Sequence, residues 1–187
     1  MIITIIAEPR SGSTNLANWF YNNKSFTTLF EPSDSNSNWY QRDKSPKQYK
    51  FTTKNLCIKE IYYPNKNFEE LTIISDKIIC LYRENYKEQL ESFLNSVITN
   101  NWHRPYVYTE KTGKIINEKT EYFKILKTEF KEKYLNYNFF NISYENLYYA
   151  DGIKSVIKYI GDDELKDFEF PVGEKYRKPN NDKKTLI

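Results

Sequence analysis

Glu8-Pro9-Arg10-Ser11-Gly12-Ser13-Thr14-Asn15-Leu16 gathers a permanent cation, a glycine and three hydroxyls into nine residues. That mixture suits the holding of an anion. Successive backbone N–H groups at a helix start, together with the positive end of the helix dipole, form a cradle for phosphate-like oxygens. Gly12 lets the backbone come close to those oxygens. Ser13 and Thr14 can add hydroxyl donors, Ser11 and Asn15 lie in the same turn, and Arg10 places a fixed charge beside the bound group. It is not a Walker A loop, which needs a glycine well upstream and a lysine directly after the last glycine. A Ser/Gly turn that only caps a helix is the competing reading.

Such a turn works only if a strand feeds it and a helix leaves it. Ile2-Ile3-Thr4-Ile5-Ile6 is a nearly unbroken β-branched run, the pattern of a strand covered on both faces. After the turn, Leu16, Trp19 and Phe20 fall on one face of a helix over Thr14 to Asn22. Further strand-like segments stand at Phe26 to Phe30, Leu56 to Tyr62, Ile78 to Tyr82 and Phe139 to Ile142. Helical patterns occupy Phe68 to Ser75, Tyr86 to Thr99, Glu118 to Leu135 and Gly152 to Ile160, with Phe123, Leu126, Phe130 and Tyr134 forming a core stripe. Strands alternating with helices predict an α/β fold: a largely parallel central sheet flanked by helices in three layers. The Ser- and Asn-rich stretch 32–51 reads as a long surface loop with an active-site role, and residues 171–187 as a basic closing segment. No linker divides the chain, so residues 1–187 are expected to form one domain.

Composition sets the outer bounds. A chain of 187 residues with 12 Phe, 17 Tyr and 3 Trp can fill a single core. A net charge of +3 is too mild for a nucleic-acid coat protein but fits a small, highly anionic ligand. Cys57 and Cys80 lie in strand-like runs and read as buried thiols of a reducing compartment, with a bridge between strands left open. With His103 the lone histidine, no zinc-like spacing exists. No apolar run reaches membrane-spanning length. The expectation is a cytoplasmic protein with no membrane or nucleic-acid partner.

The turn at residues 9–14 also resembles the 5′-phosphosulfate loop of sulfotransferases that use 3′-phosphoadenosine-5′-phosphosulfate (PAPS). In that family, Pro, Arg or Lys, Ser, Gly and two hydroxyl residues follow a strand. Ile78-Ile79-Cys80-Leu81-Tyr82-Arg83, followed by a helix that carries Ser92, is similar to the family's 3′-phosphate element, although its serine lies nine residues after the arginine where many members have eight. Leu29-Phe30-Glu31-Pro32 resembles the Phe-Glu-Pro stretch of the carbohydrate branch and the matching Glu of the tyrosylprotein branch, in the latter of which that carboxylate is the general base. Leu56-Cys57-Ile58-Lys59-Glu60 looks like a tyrosylprotein-branch strand whose lysine reaches the transferring group. Ser143-Tyr144-Glu145-Asn146-Leu147 is like a late structural element. The basic segment with Arg177 and Lys178 resembles the part that covers the 3′-phosphate.

The resemblance implies transfer of a sulfuryl group from PAPS to a hydroxyl of a small-molecule or carbohydrate acceptor, leaving adenosine 3′,5′-bisphosphate. Glu31 is then the expected base, with Arg10 and Lys59 stabilising the transferring group. Arg10, Ser11, Gly12, Ser13, Thr14, Asn15, Arg83, Ser92, Arg177 and Lys178 are the expected nucleotide ligands, and no metal is called for. His103 is a rival base. A P-loop kinase-like phosphotransferase and an inactive nucleotide-binding module are the alternatives.

Overall fold

The computed structural model describes residues 1–23, 25–33, 55–99, 109–162, 165 and 170. Five strands, β1 (Ile2–Ala7), β2 (Thr27–Phe30), β3 (Leu56–Ile61), β4 (Lys77–Tyr82) and β5 (Phe140–Ser143), form a sheet in the order β2-β3-β1-β4-β5. Every pairing is parallel. β1 is central and all six of its residues are buried, which is why its sequence is an apolar run without alternation.

The side chains of β1 divide between two cores. Ile3, Ile5 and Ala7 pack with Leu16, Trp19 and Phe20 of α1 (Ser13–Asn22) and with Val156 and Ile160 of α6 (Gly152–Ile160). On the opposite face, Ile2 and Ile6 meet Leu71 of α2 (Glu69–Ile74) and Leu126 and Phe130 of α4 (Glu110–Phe130). Between these helices in the chain stand α3 (Tyr86–Thr99) and the short α5 (Tyr144–Tyr149). Each such buried Ile, Leu or Phe contributes about 1.5–3 kcal/mol relative to exposure. The expected α/β architecture with helices on both faces of a parallel sheet is what the chain adopts.

Two differences from the sequence reading have physical causes. α4 starts at Glu110 rather than Glu118, because Thr109 and Thr112 cap it reciprocally: Thr109 Oγ1 accepts from Thr112 N at 3.2 Å, and Thr109 N donates to Thr112 Oγ1 at 2.6 Å. A cap therefore extends the helix beyond the apolar stripe. Its far end widens into a π turn over Lys131–Leu135, which keeps Tyr134 buried beside Phe130. Cys57 and Cys80 are buried free thiols in opposite cores, on strands separated by β1, so no bridge joins them. Burial pushes both thiols upward, Cys80 to about 12, and leaves them unreactive.

The order of the strands decides where a ligand can sit. The chain runs outward from β1 to β2, returns through β3, then crosses to β4 on the other side of β1. In an open parallel sheet, the crevice at the carboxyl ends of the strands beside such a reversal is the natural binding place. Arg10, Glu31, Arg83 and Tyr144 all follow strand ends on that edge, and Lys59 lies near the end of β3.

Candidate active site

The turn from β1 to α1 is tightly built. Glu8 N donates to Leu81 O at 3.0 Å, and Ser11 Oγ donates back to Glu8 O at 2.7 Å, so the buried Ser11 hydroxyl closes the turn. Arg10 and Gly12 both have left-handed backbone, with φ of 64° and 79°. Gly12 is the N-cap of α1 and has no side chain to fold over the first-turn amides. It is also hemmed in: a Cβ there would lie 2.8 Å from the rings of both Tyr144 and Tyr148. The Tyr148 hydroxyl donates to Gly12 O at 2.7 Å, and Asn15 N donates to the same oxygen at 3.0 Å. Ser13 is buried and Thr14 exposed at the start of the helix.

Next to this turn, beyond the end of β4, stands Arg83. Its Nη2 donates to Glu88 Oε2 at 2.5 Å, its Nε lies 3.8 Å from Glu145 Oε1, and its guanidinium sits 4.6 Å from the centre of the Tyr144 ring. That Nε is buried and makes no hydrogen bond. Arg10 Nε donates to Ser92 Oγ at 2.7 Å. Burial, and then the charge of Arg83, disfavour the protonated form of Arg10. The two guanidinium groups therefore feel each other, an arrangement that an anion between them would relieve.

On the other side of β1, the edge strand β2 ends at Glu31. Glu31 too has left-handed backbone, φ 50°, and its N–H donates to Lys59 O at 2.6 Å. Its carboxylate is in direct contact with Lys59 Nζ. Lys59 is only 2% exposed while Glu31 is 26% exposed, so the lysine is sealed below and the carboxylate reaches solvent. Burial lowers the Lys59 pKa, and the neighbouring Glu31 opposes that shift. Lys59 Nζ also reaches Thr14 Oγ1 at 3.4 Å, which links this pair to the first turn of α1. The adjacent Glu60 accepts from Ser33 N at 2.8 Å and Ser33 Oγ at 2.7 Å, and so clips the chain just after Glu31-Pro32.

The fold thus brings Arg10, Ser11, Gly12, Ser13, Thr14, Asn15, Arg83, Ser92, Glu31 and Lys59 to one edge of the sheet. Ser92 is found accepting from Arg10. His103, Arg177, Lys178, residues 34–51 and residues 171–187 lie outside the described residues. Sequence reasoning missed Glu8, Gln89, Lys127, Tyr144 and Tyr148 as site-building residues. Two of them carried a signal. Glu8 is a carboxylate directly after an apolar buried strand, and Lys127 interrupts a helix face otherwise made by Phe123 and Phe130. Among the described residues, no helix is long and apolar enough to cross a membrane, and no cluster of His, Cys, Asp and Glu could hold a metal ion.

No protein-family profile matches the chain, and no curated protein matches it in sequence. Among solved structures, the crystal structure of mouse sulfotransferase SULT7A1 complexed with PAP is similar, with a TM-score of 0.59 and 18% sequence identity. The likeness covers 89% of this chain and 62% of that one, so the chain spans under two thirds of the protein it matches. What is shared is the fold: an all-parallel, P-loop-like α/β sheet flanked by helices.

Proposed function

We propose that the protein is a sulfotransferase, moving a sulfuryl group from PAPS to an acceptor hydroxyl. The observation that carries this reading is that Arg10 and Arg83 follow the neighbouring strands β1 and β4 and flank a helix start capped by glycine alone. A nucleotide with anionic groups at both its 5′ and 3′ ends fits that pair. Gly12 leaves the first-turn amides of α1 without a capping side chain, and the buried Arg83 Nε has no hydrogen bond of its own. Arg10, Ser11, Gly12, Ser13, Thr14 and Asn15 would hold the 5′-phosphosulfate. Arg83 and Ser92 would hold the 3′-phosphate, with Arg177 and Lys178 as its cover. The similar fold of a sulfotransferase crystallised with PAP supports the same choice.

When bound, PAPS supplies an activated sulfuryl group on a stable leaving phosphate. The chain's own residues do the rest. Glu31 accepts the proton of the acceptor hydroxyl, a contribution of about 10²–10⁴-fold for a positioned base. Lys59 holds that carboxylate in place from below and lends positive charge near Thr14. Arg10 presents a cation where negative charge builds up on the equatorial oxygens and the leaving group. The positive charge is thus provided by side chains. A carbohydrate hydroxyl as acceptor is supported by Phe30-Glu31-Pro32 alone.

A thermal shift with adenosine 3′,5′-bisphosphate tests the reading. At a ligand concentration of 100 Kd the folded state gains about 2.7 kcal/mol. For a chain of this size that raises Tm by roughly 5–10 °C. A flat response, or a stronger one to ATP with magnesium, would hand the site to a kinase-like reading.

A further inference from the structure

Behind the two arginines lies a buried polar cluster that no step above uses. Glu8, 1% exposed, receives three hydrogen bonds on Oε2: from Arg83 N at 3.1 Å, Gln89 Nε2 at 3.0 Å and Lys127 Nζ at 2.9 Å. Lys127 Nζ spends its other two N–H groups on Arg83 O and Gln89 Oε1, both at 2.8 Å. Gln89 Nε2 donates in addition to Pro9 O at 2.8 Å. Each donor of the Lys127 ammonium therefore has a partner, and the Gln89 amide is anchored at both ends. A buried carboxylate oxygen with three donors, and a half-buried ammonium with a partner for each N–H, define one geometry.

The members of the cluster matter by position. Both backbone groups of Arg83 are held, its N–H by Glu8 and its carbonyl by Lys127. The residues just before Arg10 are held as well, Glu8 through its carboxylate and Pro9 through its carbonyl. Two side chains from α3 and α4 thus fasten together the two backbone points from which the guanidinium groups extend. None of the three needs to touch a ligand to do this.

We propose that Glu8, Gln89 and Lys127 are positioning residues that fix the spacing between the Arg10 turn and the Arg83 turn, and so make the site selective for nucleotides phosphorylated at both ends. The proposal rests on the sulfotransferase reading and adds to it a determinant of donor selectivity. Two anionic groups on one ligand reinforce each other only when the distance between their sites is held. A loosened cluster should spare the binding of one phosphate and lose the advantage of the second.

The test is a ratio of affinities, measured by calorimetry for adenosine 3′,5′-bisphosphate and adenosine 5′-phosphate, with Tm followed in parallel. Two variants are needed. Glu8→Gln combined with Lys127→Met removes both charges of the ion pair together, and Gln89→Met cuts the ties to Pro9, Glu8 and Lys127 without altering charge. In each, the preference for the bisphosphate should fall by about tenfold or more, while adenosine 5′-phosphate affinity stays within about twofold. A merely stabilising cluster would lower Tm and leave the ratio alone. A wild-type ratio in a folded variant overturns the spacing proposal and leaves the sulfotransferase reading intact. Equal affinities in the wild-type protein overturn both.

Discussion

On the β4 side of β1 the site gathers two guanidinium groups, whereas on the β3 side it pairs one buried lysine with one carboxylate. Burial, and then the charge of Arg83, disfavour the protonated form of Arg10, Arg83 itself is paired with Glu88, and the backbone beneath them is tied by the Glu8–Gln89–Lys127 cluster. Lys59 is buried and matched by Glu31. Two guanidinium groups beside a glycine-capped helix start suit an anionic ligand. A balanced acid–base pair with one solvent-facing member calls for a neutral group whose proton can be taken. The two halves meet at Thr14, in the first turn of α1, which Lys59 reaches from below. The division suggests that binding and chemistry reside on opposite sides of the central strand, and substitutions can separate them.

The largest effect is expected on the β3 side. Glu31→Gln should cut turnover by about 10²–10⁴-fold, the range for a positioned base, with bisphosphate affinity unchanged by calorimetry. If affinity fell in step with turnover, the two sides would not be separate and the base would have to be sought elsewhere. Arg10→Ala comes next. It should cost about 10²–10³-fold in kcat, as for one lost donor to developing charge, and unlike Glu31→Gln it should also weaken bisphosphate binding. Circular dichroism should show the sheet intact, because Arg10 lies at the rim of the core. Full activity in this variant would falsify its assignment.

Gly12 bears on both sides and its effect is smaller. Gly12→Ala adds a Cβ at 2.8 Å from two tyrosine rings on a backbone with φ of 79°. Strain of that kind costs about 1–3 kcal/mol, so Tm should drop by about 2–4 °C for each kcal/mol. Calorimetric scans with and without the bisphosphate would show the gap widening when ligand is present, since the methyl group presses on the two tyrosine rings that brace the turn. An equal drop in both scans would mean that the turn is structural and holds no anion.

What could be read beforehand was local. An apolar run, a glycine turn and an amphipathic helix lie within two dozen residues, so the β1–α1 unit announced itself. The parallel sheet then carried Glu31 and Arg83 to the same edge, because residues that follow parallel strands must emerge together. Relationships across long stretches of chain could not be read. Lys127 stands 119 positions from the Glu8 carboxylate it holds, and only the packing of α4 against the sheet joins them. Ser92 shows the same limit. Its hydroxyl read as a donor to an anion, and that it also accepts from Arg10 Nε could not be read from positions 82 apart. The start of α4 was missed because its cap is Thr-x-x-Thr, which lacks the usual acidic or amide partner three residues on.

The smallest prediction concerns which influence governs the β3 side. Burial lowers the Lys59 pKa below its ordinary 10.5, and Glu31 pulls it back up without restoring it. Between the lowered value and 10.5, the unfolded chain keeps a proton that the folded chain has released. Unfolding then takes up a proton, so this residue's contribution to stability rises with pH across that window. Lys59→Met lacks the proton in both states. Denaturant titrations from neutral pH to 10.5 should therefore show wild type gaining on Lys59→Met as pH increases. A gain in the opposite direction would mean that Glu31 outweighs burial and holds the ammonium charged. Repeating the comparison in a Glu31→Gln background sharpens the point: with the carboxylate gone only burial acts, the lysine loses its proton sooner, and the rise should begin at lower pH.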